Sequence, residues 1–454
     1  MKKKFWVAVF ALVFASFLNV NAAECTENCV AKIGDTEYAT IMDAINAVPG
    51  DGKEVVIEVL KDSQTEAGIK VTNDLNKNFV VDLKNHTVQF SKPLVGSTGT
   101  ESQNIHIEKG NKATFKNGTM KTDPSAKMFI QNYCDLTLEN VTIDTTNASY
   151  SGLYAVSNNN GVVKIIGNTN IYSNAYAFDM CWAPNKGYPN GTQITVDTTG
   201  TIKGVIQLDV WGKFADPVKS TLTIKNMNHE GSFDVDERLA GNLTIEGGTY
   251  SEKVDNSLLN DTDVAVKDGE KYIIQPNTTY VEEEMGVYFE SEEPLLNEYE
   301  LEIIEADKND LPKAAELIKL EEKFKKEKDA TLLSLYDLTM YDSAHEVVSL
   351  TGKFTITLPF DKTQKFDTYK VIYVDDDGNI VEEIDPTIDD DMITFETTHL
   401  STYGVVGYNN APSHREAENN NNPKTADGIA LYIVLALLSA SAGYVVIKKT
   451  KRRV

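Results

Sequence analysis

The residues best suited to chemistry in this sequence are its carboxylates and one isolated arginine. Glycoside hydrolysis needs two carboxyl groups at a set separation, but the chain has 68 aspartates and glutamates, so the sequence does not single out a pair. Arg238 is the only arginine between residues 30 and 276, and it follows Asp234, Asp236 and Glu237. Negative neighbours keep a guanidinium protonated, so we expect a surface ion pair rather than a base. No catalytic residue is assigned.

Aromatic residues offer a second kind of chemistry, the stacking of sugar rings on aromatic rings. Tyrosine and tryptophan combine a large apolar face with a polar atom, and loops carry binding residues more often than the elements they connect. Residues 182–191 are predicted to form a long polar and aromatic loop. The alternative is that the rings only cover a junction between repeats. The candidate ligand-binding residues are Tyr172, Tyr176, Trp182, Tyr188 and Trp211.

Three consecutive residues, His399, Leu400 and Ser401, carry the groups needed for self-cleavage. A hydroxyl can attack a carbonyl carbon while a histidine accepts its proton. The tripeptide resembles the His-Leu-Ser/Thr cleavage site of autoproteolytic β-sandwich domains. That resemblance implies attack of Ser401 on the Leu400 carbonyl, and the alternative is an ordinary strand end.

No metal ion or cofactor is expected. The segment from Asp375 to Gly378 is acidic, but a calcium loop of the EF-hand type needs an aspartate where this chain has Tyr373. A hairpin turn is therefore predicted there.

Four cysteines fit no zinc-binding pattern. Cys25 and Cys29 are close enough in sequence for a local disulfide. Cys134 and Cys181 can pair only if the fold brings their Cα atoms within about 7 Å. Buried thiols are the alternative for all four.

The C-terminus combines a short motif, an apolar run and a basic tail. Residues 428–447 are uncharged and, at about 1.5 Å per residue, long enough to cross a membrane core of about 30 Å. This order resembles the cell-wall sorting signal of Gram-positive (Firmicute) surface proteins. The resemblance implies that a sortase attacks the Thr425 carbonyl and transfers the chain to peptidoglycan, while a plain transmembrane anchor is the alternative. The motif consists of Asn422, Pro423, Lys424, Thr425 and Ala426.

Two positions of that motif depart from the usual L-P-x-T-G pattern. Asn422 stands for the leucine and Ala426 for the glycine, which leaves the sortase class open. The N-terminus agrees with export, because residues 1–22 contain a lysine-rich start, an apolar stretch and small residues before a cleavage point. The expected location is the cell wall, after transient anchoring in the membrane.

The formal charge of −25 excludes some partners. An acidic surface repels nucleic acid and anionic lipid, and removal of the two basic ends makes the mature chain more acidic still. The 454 residues leave room for two medium-sized domains between the targeting segments.

A weak repeat dominates residues 30–276, in which an alternating apolar strand runs into an Asn or Gly turn. Its spacing, about 21 to 32 residues, is typical of a solenoid. Examples are Leu83–Val88, Phe115–Met120, Leu138–Ile143 and Ile245–Tyr250. The sequence predicts a right-handed parallel β-helix over residues 23–276, capped by a helix at 40–48. A short strand at 33–38 is predicted to precede that helix. A β-sandwich is the competing fold.

The residues that open and close this region strengthen the prediction. The stretch from Ala31 to Ala47, and Gly247–Ser251 with the strand at Val264–Lys267, resemble the two ends of pectin-lyase-like β-helix domains on Firmicute surface proteins. The resemblance raises the question of a polysaccharide lyase or hydrolase. However, the Gly-His-Gly and Arg-x-Lys strings typical of polygalacturonases are absent from the sequence.

Residues 277–408 change in composition and predict a β-sandwich. Strands are expected at 298–304, 333–341, 353–359, 369–374, 379–384 and 392–397, with one helix at 312–328. Residues 409–421 are an asparagine-rich linker. The fold class predicted for the whole chain is thus all-β, a parallel β-helix followed by a small sandwich with one helical insertion.

The sequence favours a sortase-anchored surface protein that acts as an adhesin or ligand-binding protein without chemistry of its own. A wall-bound polysaccharide lyase or glycoside hydrolase is one alternative, and a structural wall component is another. The expected partners are a sortase, peptidoglycan and a glycan or host-surface ligand.

Overall fold

The structure is a computed structural model that describes residues 25, 27–182, 191–210, 220–305, 322, 330–361, 363–375 and 380–409. The chain divides into two compact units. The first is Met1–Thr223 with Met227–Asn242, and the second is Ile224–Asn226 with Leu243–Val454. Within the described ranges, no helix is long and apolar enough to cross a membrane. The predicted span at 428–447, the signal peptide at 1–22 and the sorting motif lie outside them.

The first unit begins with a hairpin, β1 (Ala31–Ile33) and β2 (Thr36–Tyr38), followed by helix α1 (Ile41–Ala47). We predicted a single strand over 33–38, which was wrong. Gly34 adopts a φ of 57° and turns the chain back on itself. A disulfide joins Cys25 to Cys29, whereas Cys134 and Cys181 are not disulfide-bonded.

Helix α1 forms as predicted. Thr40 is its N-cap, and the Thr40 hydroxyl accepts a hydrogen bond from the Asp43 backbone N–H at 3.0 Å. The residues of its apolar face, Ile41, Ala44 and Ile45, are buried. Spacing of three and four residues places them on one side of the helix.

Strands β3 to β17 follow, all in the first unit except that β16 includes Ile224–Asn226 of the second. Their bounds are β3 Glu54–Val59, β4 Ser63–Glu66, β5 Ile69–Val71, β6 Asn78–Asp82, β7 Thr87–Phe90, β8 Gln103–Ile107, β9 Lys112–Lys121, β10 Met128–Asn132, β11 Asp135–Asp144, β12 Tyr154–Asn159, β13 Val162–Gly167, β14 Asn170–Trp182, β15 Thr192–Val210, β16 Ser220–Glu230 and β17 Phe233–Val235. A 3₁₀ helix spans Glu237–Asn242.

These strands form three parallel ladders. The first face contains β3, β6, β9, β11, β13 and β15. The second contains β4, β7, β9, β11, β14 and β15. The third contains β5, β8, β10, β12, β14, β15 and β17. Three parallel ladders visited in turn make a β-solenoid, here of about six turns, and this confirms the predicted fold class.

Apolar side chains stack in columns inside the solenoid. On the first face, successive rungs place buried residues in register. Burial of each large apolar side chain stabilises the fold by about 2 kcal/mol. The members of this column are Ile57, Val81, Phe115, Leu138, Ile165 and Val196.

The asparagines of the sequence repeat occupy the corners between the first and second faces. Asn85, Asn117 and Asn140 have φ values of 68°, 57° and 50°, and Gly167 has 68°. Asparagine and glycine tolerate this left-handed region. Gly118 is needed for a second reason, since a Cβ there would lie 2.5 Å from the Leu83 Cβ. The predicted turn chemistry is therefore confirmed.

The second unit starts with short strands and continues with two sheets. The bounds are β18 Leu243–Ile245, β19 Thr249–Tyr250, a 3₁₀ helix Asn256–Leu258, β20 Asp263–Asp268, β21 Lys271–Pro276, β22 Thr279–Glu282, β23 Val287–Ser291, β24 Glu300–Glu305, β25 Ala330–Tyr341, β26 Phe354–Pro359, β27 Thr368–Val374, β28 Ile380–Ile384, β29 Thr387–Asp389, β30 Met392–Thr397 and β31 Thr402–Tyr408. One antiparallel sheet has the order β22-β23-β26-β30-β29, and the other has β24-β25-β31-β27-β28.

The two sheets share one hydrophobic core. Phe289 and Ile356 from the first sheet belong to the same buried cluster as Leu338 and Val405 from the second. Two sheets facing each other across a core form a small β-sandwich, as predicted. All six predicted strands are present, whereas β22, β23, β29 and β31 were missed. The predicted helix at 312–328 lies outside the described residues except for residue 322, and of the predicted hairpin turn only Asp375 is described.

Candidate functional site

The third face of the solenoid carries an outward row of polar side chains. Ile130, Val156, Phe178 and Ile206 are buried on this face, and successive side chains of a strand point to opposite sides. The residue after each of them therefore points outward. This row consists of Gln131, Ser157, Asp179 and Gln207, in register on neighbouring strands, and continues to Asp234.

A second outward row lies two positions further along the same strands. Asn159, Cys181 and Asp209 are in register there. At the start of the strands, Tyr154 and Tyr176 are in register with each other. We call the outward side chains in the third-face segments of β10, β12, β14, β15 and β17, together with Tyr133, the polar face.

Hydrogen bonds link neighbouring rungs at one end of the polar face. Nδ1 of the buried His106 lies 2.8 Å from Oε1 of Gln131. The Gln131 amide donates to the Tyr133 hydroxyl at 3.1 Å, and the Asn159 amide approaches the same hydroxyl at 3.4 Å. These groups run along the solenoid axis, perpendicular to the strands.

Asp179 lies in the middle of the face and is only 6% exposed. Its Oδ1 accepts a hydrogen bond from the Asn158 backbone N–H at 3.0 Å. Burial raises the pKa of Asp179 to about 7, and the charge of Asp209 adds to this, while hydrogen bonds from Ser157 and Asn158 act in the opposite direction. Near neutral pH a large fraction of Asp179 is therefore a neutral acid that can donate a proton or a hydrogen bond.

Two tyrosines cover the start of the polar face. The rings of Tyr154 and Tyr176 stack with centroids 4.5 Å apart. The Tyr154 hydroxyl donates to Oε1 of Gln207 at 2.8 Å, and the Gln207 amide donates to Asp234 at 2.7 Å. Burial and the nearby Asp179 raise the pKa of Tyr154, so it stays a neutral phenol. The result is a connected set of hydroxyl, amide and carboxyl groups beside an aromatic pair.

Arg238 forms the predicted ion pair. Its Nε donates to Oδ1 of Asp236 at 2.8 Å, and its NH2 group contacts the other carboxylate oxygen. The hydrogen bonds from Arg238 lower the pKa of Asp236 to about 2, and the pair raises the pKa of Arg238. The arginine is thus a bound cation.

The structure separates the aromatic residues that the sequence grouped together. Tyr176 belongs to the polar face, whereas Tyr172 lies on the second face, in register with Asp144 and Lys203. Trp182 is 4% exposed and in register with the buried Val210, so its ring belongs to the core and not to the polar face. Tyr188 and Trp211 lie outside the described residues.

Sequence reasoning missed Tyr154, Ser157 and Gln207. A short internal repeat could have revealed the first two, because Tyr154-Ala155-Val156-Ser157 is followed one turn later by Tyr176-Ala177-Phe178-Asp179. Aligning these two tetrapeptides places both tyrosines in one column and Ser157 beside Asp179. Gln207 has no such signal, since its strand lacks the tyrosine.

His399, Leu400 and Ser401 connect β30 to β31 in the second unit. The Tyr403 hydroxyl donates to the His399 carbonyl oxygen at 2.6 Å and lies 2.8 Å from His399 Nδ1. The Ser401 carbonyl accepts a hydrogen bond from the Leu338 backbone N–H. Self-cleavage at this position stays a prediction.

No known protein family, curated protein or solved structure matches this chain. Within the part of the chain that the structure covers, no three His, Cys, Asp or Glu side chains converge to hold a metal ion. The hydroxyl, amide and carboxyl groups of the polar face can exchange hydrogen bonds with a ligand rich in hydroxyl groups.

Proposed function

We propose that this chain is an exported surface protein of a Gram-positive bacterium, that a sortase joins it to peptidoglycan, and that its solenoid binds a glycan. The observation that carries the binding proposal is the polar face. Hydroxyl and amide groups on successive rungs, beside the stacked Tyr154 and Tyr176, match the alternating hydroxyl groups and apolar ring faces of a sugar. No nucleic acid is expected as a partner, given the net charge of −25.

Anchoring is proposed from the sequence motif at 422–426 alone. The test is cell fractionation of a producing strain, in which the wild-type chain is expected in the covalently bound wall fraction. Thr425→Ala removes the proposed attacked residue and should leave the chain in the membrane fraction. Lys424→Ala, at the variable position of the motif, is the matched control and should behave as wild type. Equal wall incorporation of Thr425→Ala would overturn the proposal.

Glycan binding is tested with the full chain, purified in mild detergent, on an array of immobilised glycans. Specific binding that is weakened by Tyr154→Ala and retained by Tyr172→Ala supports the polar face as the site. Absence of binding to every glycan would favour the purely structural role in the wall.

A second candidate function is glycan cleavage by a wall-bound lyase or hydrolase. The observation in its favour is the partly protonated Asp179 beside Asp209, because glycosidases pair a neutral acid with a carboxylate. Cleavage is tested by incubating the full chain with an oligosaccharide that it binds and separating the products by chromatography. Products that disappear with Asp179→Asn would support cleavage, and an unchanged oligosaccharide leaves binding as the function.

A further inference from the structure

The polar face has the periodicity of a linear polymer. Neighbouring strands lie about 4.8 Å apart, which is comparable to the rise of one sugar unit in an extended glycan. The face covers five successive strands, or about 20 Å along the axis. The contacts from His106 to Gln131, and from Tyr154 through Gln207 to Asp234, also run along this axis. A polymer lying parallel to the axis would therefore meet one rung with each unit.

The charges of the face restrict the chemistry of that polymer. Asp179, Asp209 and Asp234 are outward on three successive strands. Within the described third-face segments of β12, β14, β15 and β17, the sequence contains no lysine or arginine. Arg238 is bound to Asp236 and also interacts electrostatically with Asp209, so it offsets part of this negative charge. The carboxylates of Asp209, Asp234 and Asp236 outnumber this one cation, so a ligand carboxylate would be repelled.

We infer that the polar face binds a linear glycan without carboxylate groups, laid along the solenoid axis with about one sugar unit for each rung. This inference rests on the proposed glycan binding and adds the substrate class and the orientation to it. Hydroxyl groups of the ligand exchange hydrogen bonds with the partly exposed Gln131 and Gln207, and the exposed rim of the tyrosine pair contacts a sugar ring. Asp209 on β15 and Asp234 on β17 disfavour the binding of uronic acid polymers.

Three oligosaccharides test this inference by calorimetric titration into the full chain in detergent. They are a β-linked glucose hexasaccharide, the corresponding disaccharide and a galacturonic acid hexasaccharide. The glucose hexasaccharide should bind, and the disaccharide should bind at least about tenfold more weakly because it loses most rung contacts. The galacturonic acid hexasaccharide should bind at least about tenfold more weakly than the glucose hexasaccharide. This difference in affinity should become smaller at high salt, because salt screens the repulsion between carboxylates.

Matched variants locate the source of the discrimination. Asp209→Asn removes one outward carboxylate from β15 on the third face. It should reduce the difference in affinity between the two hexasaccharides. Asp197→Asn removes an exposed carboxylate from the same strand on the first face. It should leave the difference in affinity between the two hexasaccharides unchanged. Equal effects of the two variants would show that only net charge matters and would overturn the assignment to this face.

The possible failures are distinguishable. Equal or tighter binding of the galacturonic acid hexasaccharide, still sensitive to Tyr154→Ala, overturns this inference and leaves the proposed glycan binding in place. Equal binding of the disaccharide and hexasaccharide overturns the axial orientation. Absence of binding by all three, together with a blank glycan array, overturns the proposed function itself.

Discussion

The Tyr154 hydroxyl donates a hydrogen bond to Oε1 of Gln207 at 2.8 Å, although the two residues are 53 positions apart in sequence. Tyr154 lies on β12 and Gln207 on β15, and β14, which carries Asp179, lies between them. The tyrosine side chain therefore reaches across β14, the strand that carries Asp179. Three turns of the solenoid are joined at the centre of the polar face.

Removing that hydroxyl should weaken both the fold and the site. Tyr154→Phe keeps the ring but deletes the donor to Gln207, so we expect a loss of about 1 kcal/mol in the free energy of unfolding and about tenfold weaker glycan binding. Chemical denaturation and calorimetric titration measure the two quantities. Tyr172→Phe, on the second face, is the matched control, and an equal loss of affinity in the control would contradict the assignment.

Glu66 should make stability depend on pH. It is 2% exposed, its Oε1 accepts from the Ile41 backbone N–H at the start of α1, and burial raises its pKa to about 7. The folded state therefore keeps the proton that the unfolded state loses near pH 4.3. This contribution to stability is complete below about pH 4.3 and is lost as pH rises to about 7, a change of order 3 kcal/mol.

Glu66→Gln tests this effect, because the amide retains an acceptor for Ile41 and cannot ionise. The variant should exceed wild type in the free energy of unfolding by about 2 to 3 kcal/mol at pH 8 and by much less at pH 4. Urea denaturation at both pH values measures the difference, with the exposed Glu54→Gln as control. A difference between variant and wild type that is the same at both pH values would contradict the burial of an ionisable group.

Asn158 should be among the most sensitive positions in the solenoid. Its fully buried side chain donates to the carbonyls of Gly161 and Gln193 and accepts from the Asn132 amide at 2.9 Å. Asn158→Ala leaves these partners unsatisfied, and we expect a loss of about 3 kcal/mol or more.

The control for Asn158→Ala is an exposed amide that makes a single hydrogen bond. Asn174 donates to the Thr146 carbonyl at 2.9 Å, so Asn174→Ala should cost about 1 kcal/mol or less. Thermal unfolding followed by circular dichroism compares the variants. Similar unfolding temperatures for both would show that the hydrogen bonds of the buried Asn158 side chain do not stabilise the solenoid.

Self-cleavage predicts two polypeptides from one gene product. If Ser401 attacks the Leu400 carbonyl, the purified chain yields two fragments in denaturing mass spectrometry, and Ser401→Ala yields one. A single full-length species in the wild type would contradict self-cleavage. The role of the His399 ring would then be structural, through its contacts with Tyr373 and Tyr403.

Local chemistry explains what could be predicted from the sequence. The Asn and Gly turns and the inward apolar columns follow from backbone preferences and alternation, so residues such as Asn117 and Phe115 were placed correctly. The hairpin at Gly34 was missed because a short alternating stretch hides a two-residue turn.

The candidate site was harder to predict from the sequence because it depends on the register between successive turns of the solenoid. Tyr154, Asp179 and Gln207 meet only after three rungs stack. Tyr172 and Tyr176 are close in sequence, yet β14 carries them on two different faces. Trp182 follows the inward alternation of its strand, which composition does not reveal.

Hydroxyl-radical footprinting of the full chain, with and without the glycan it captures on an array, tests the central claim most directly. The account predicts that bound glycan protects Tyr154 and Tyr176 from oxidation and leaves the oxidation of Tyr172 unchanged. Protection confined to Tyr172 or to the tyrosines of the second unit, with Tyr154 and Tyr176 oxidised as in the free protein, would contradict it.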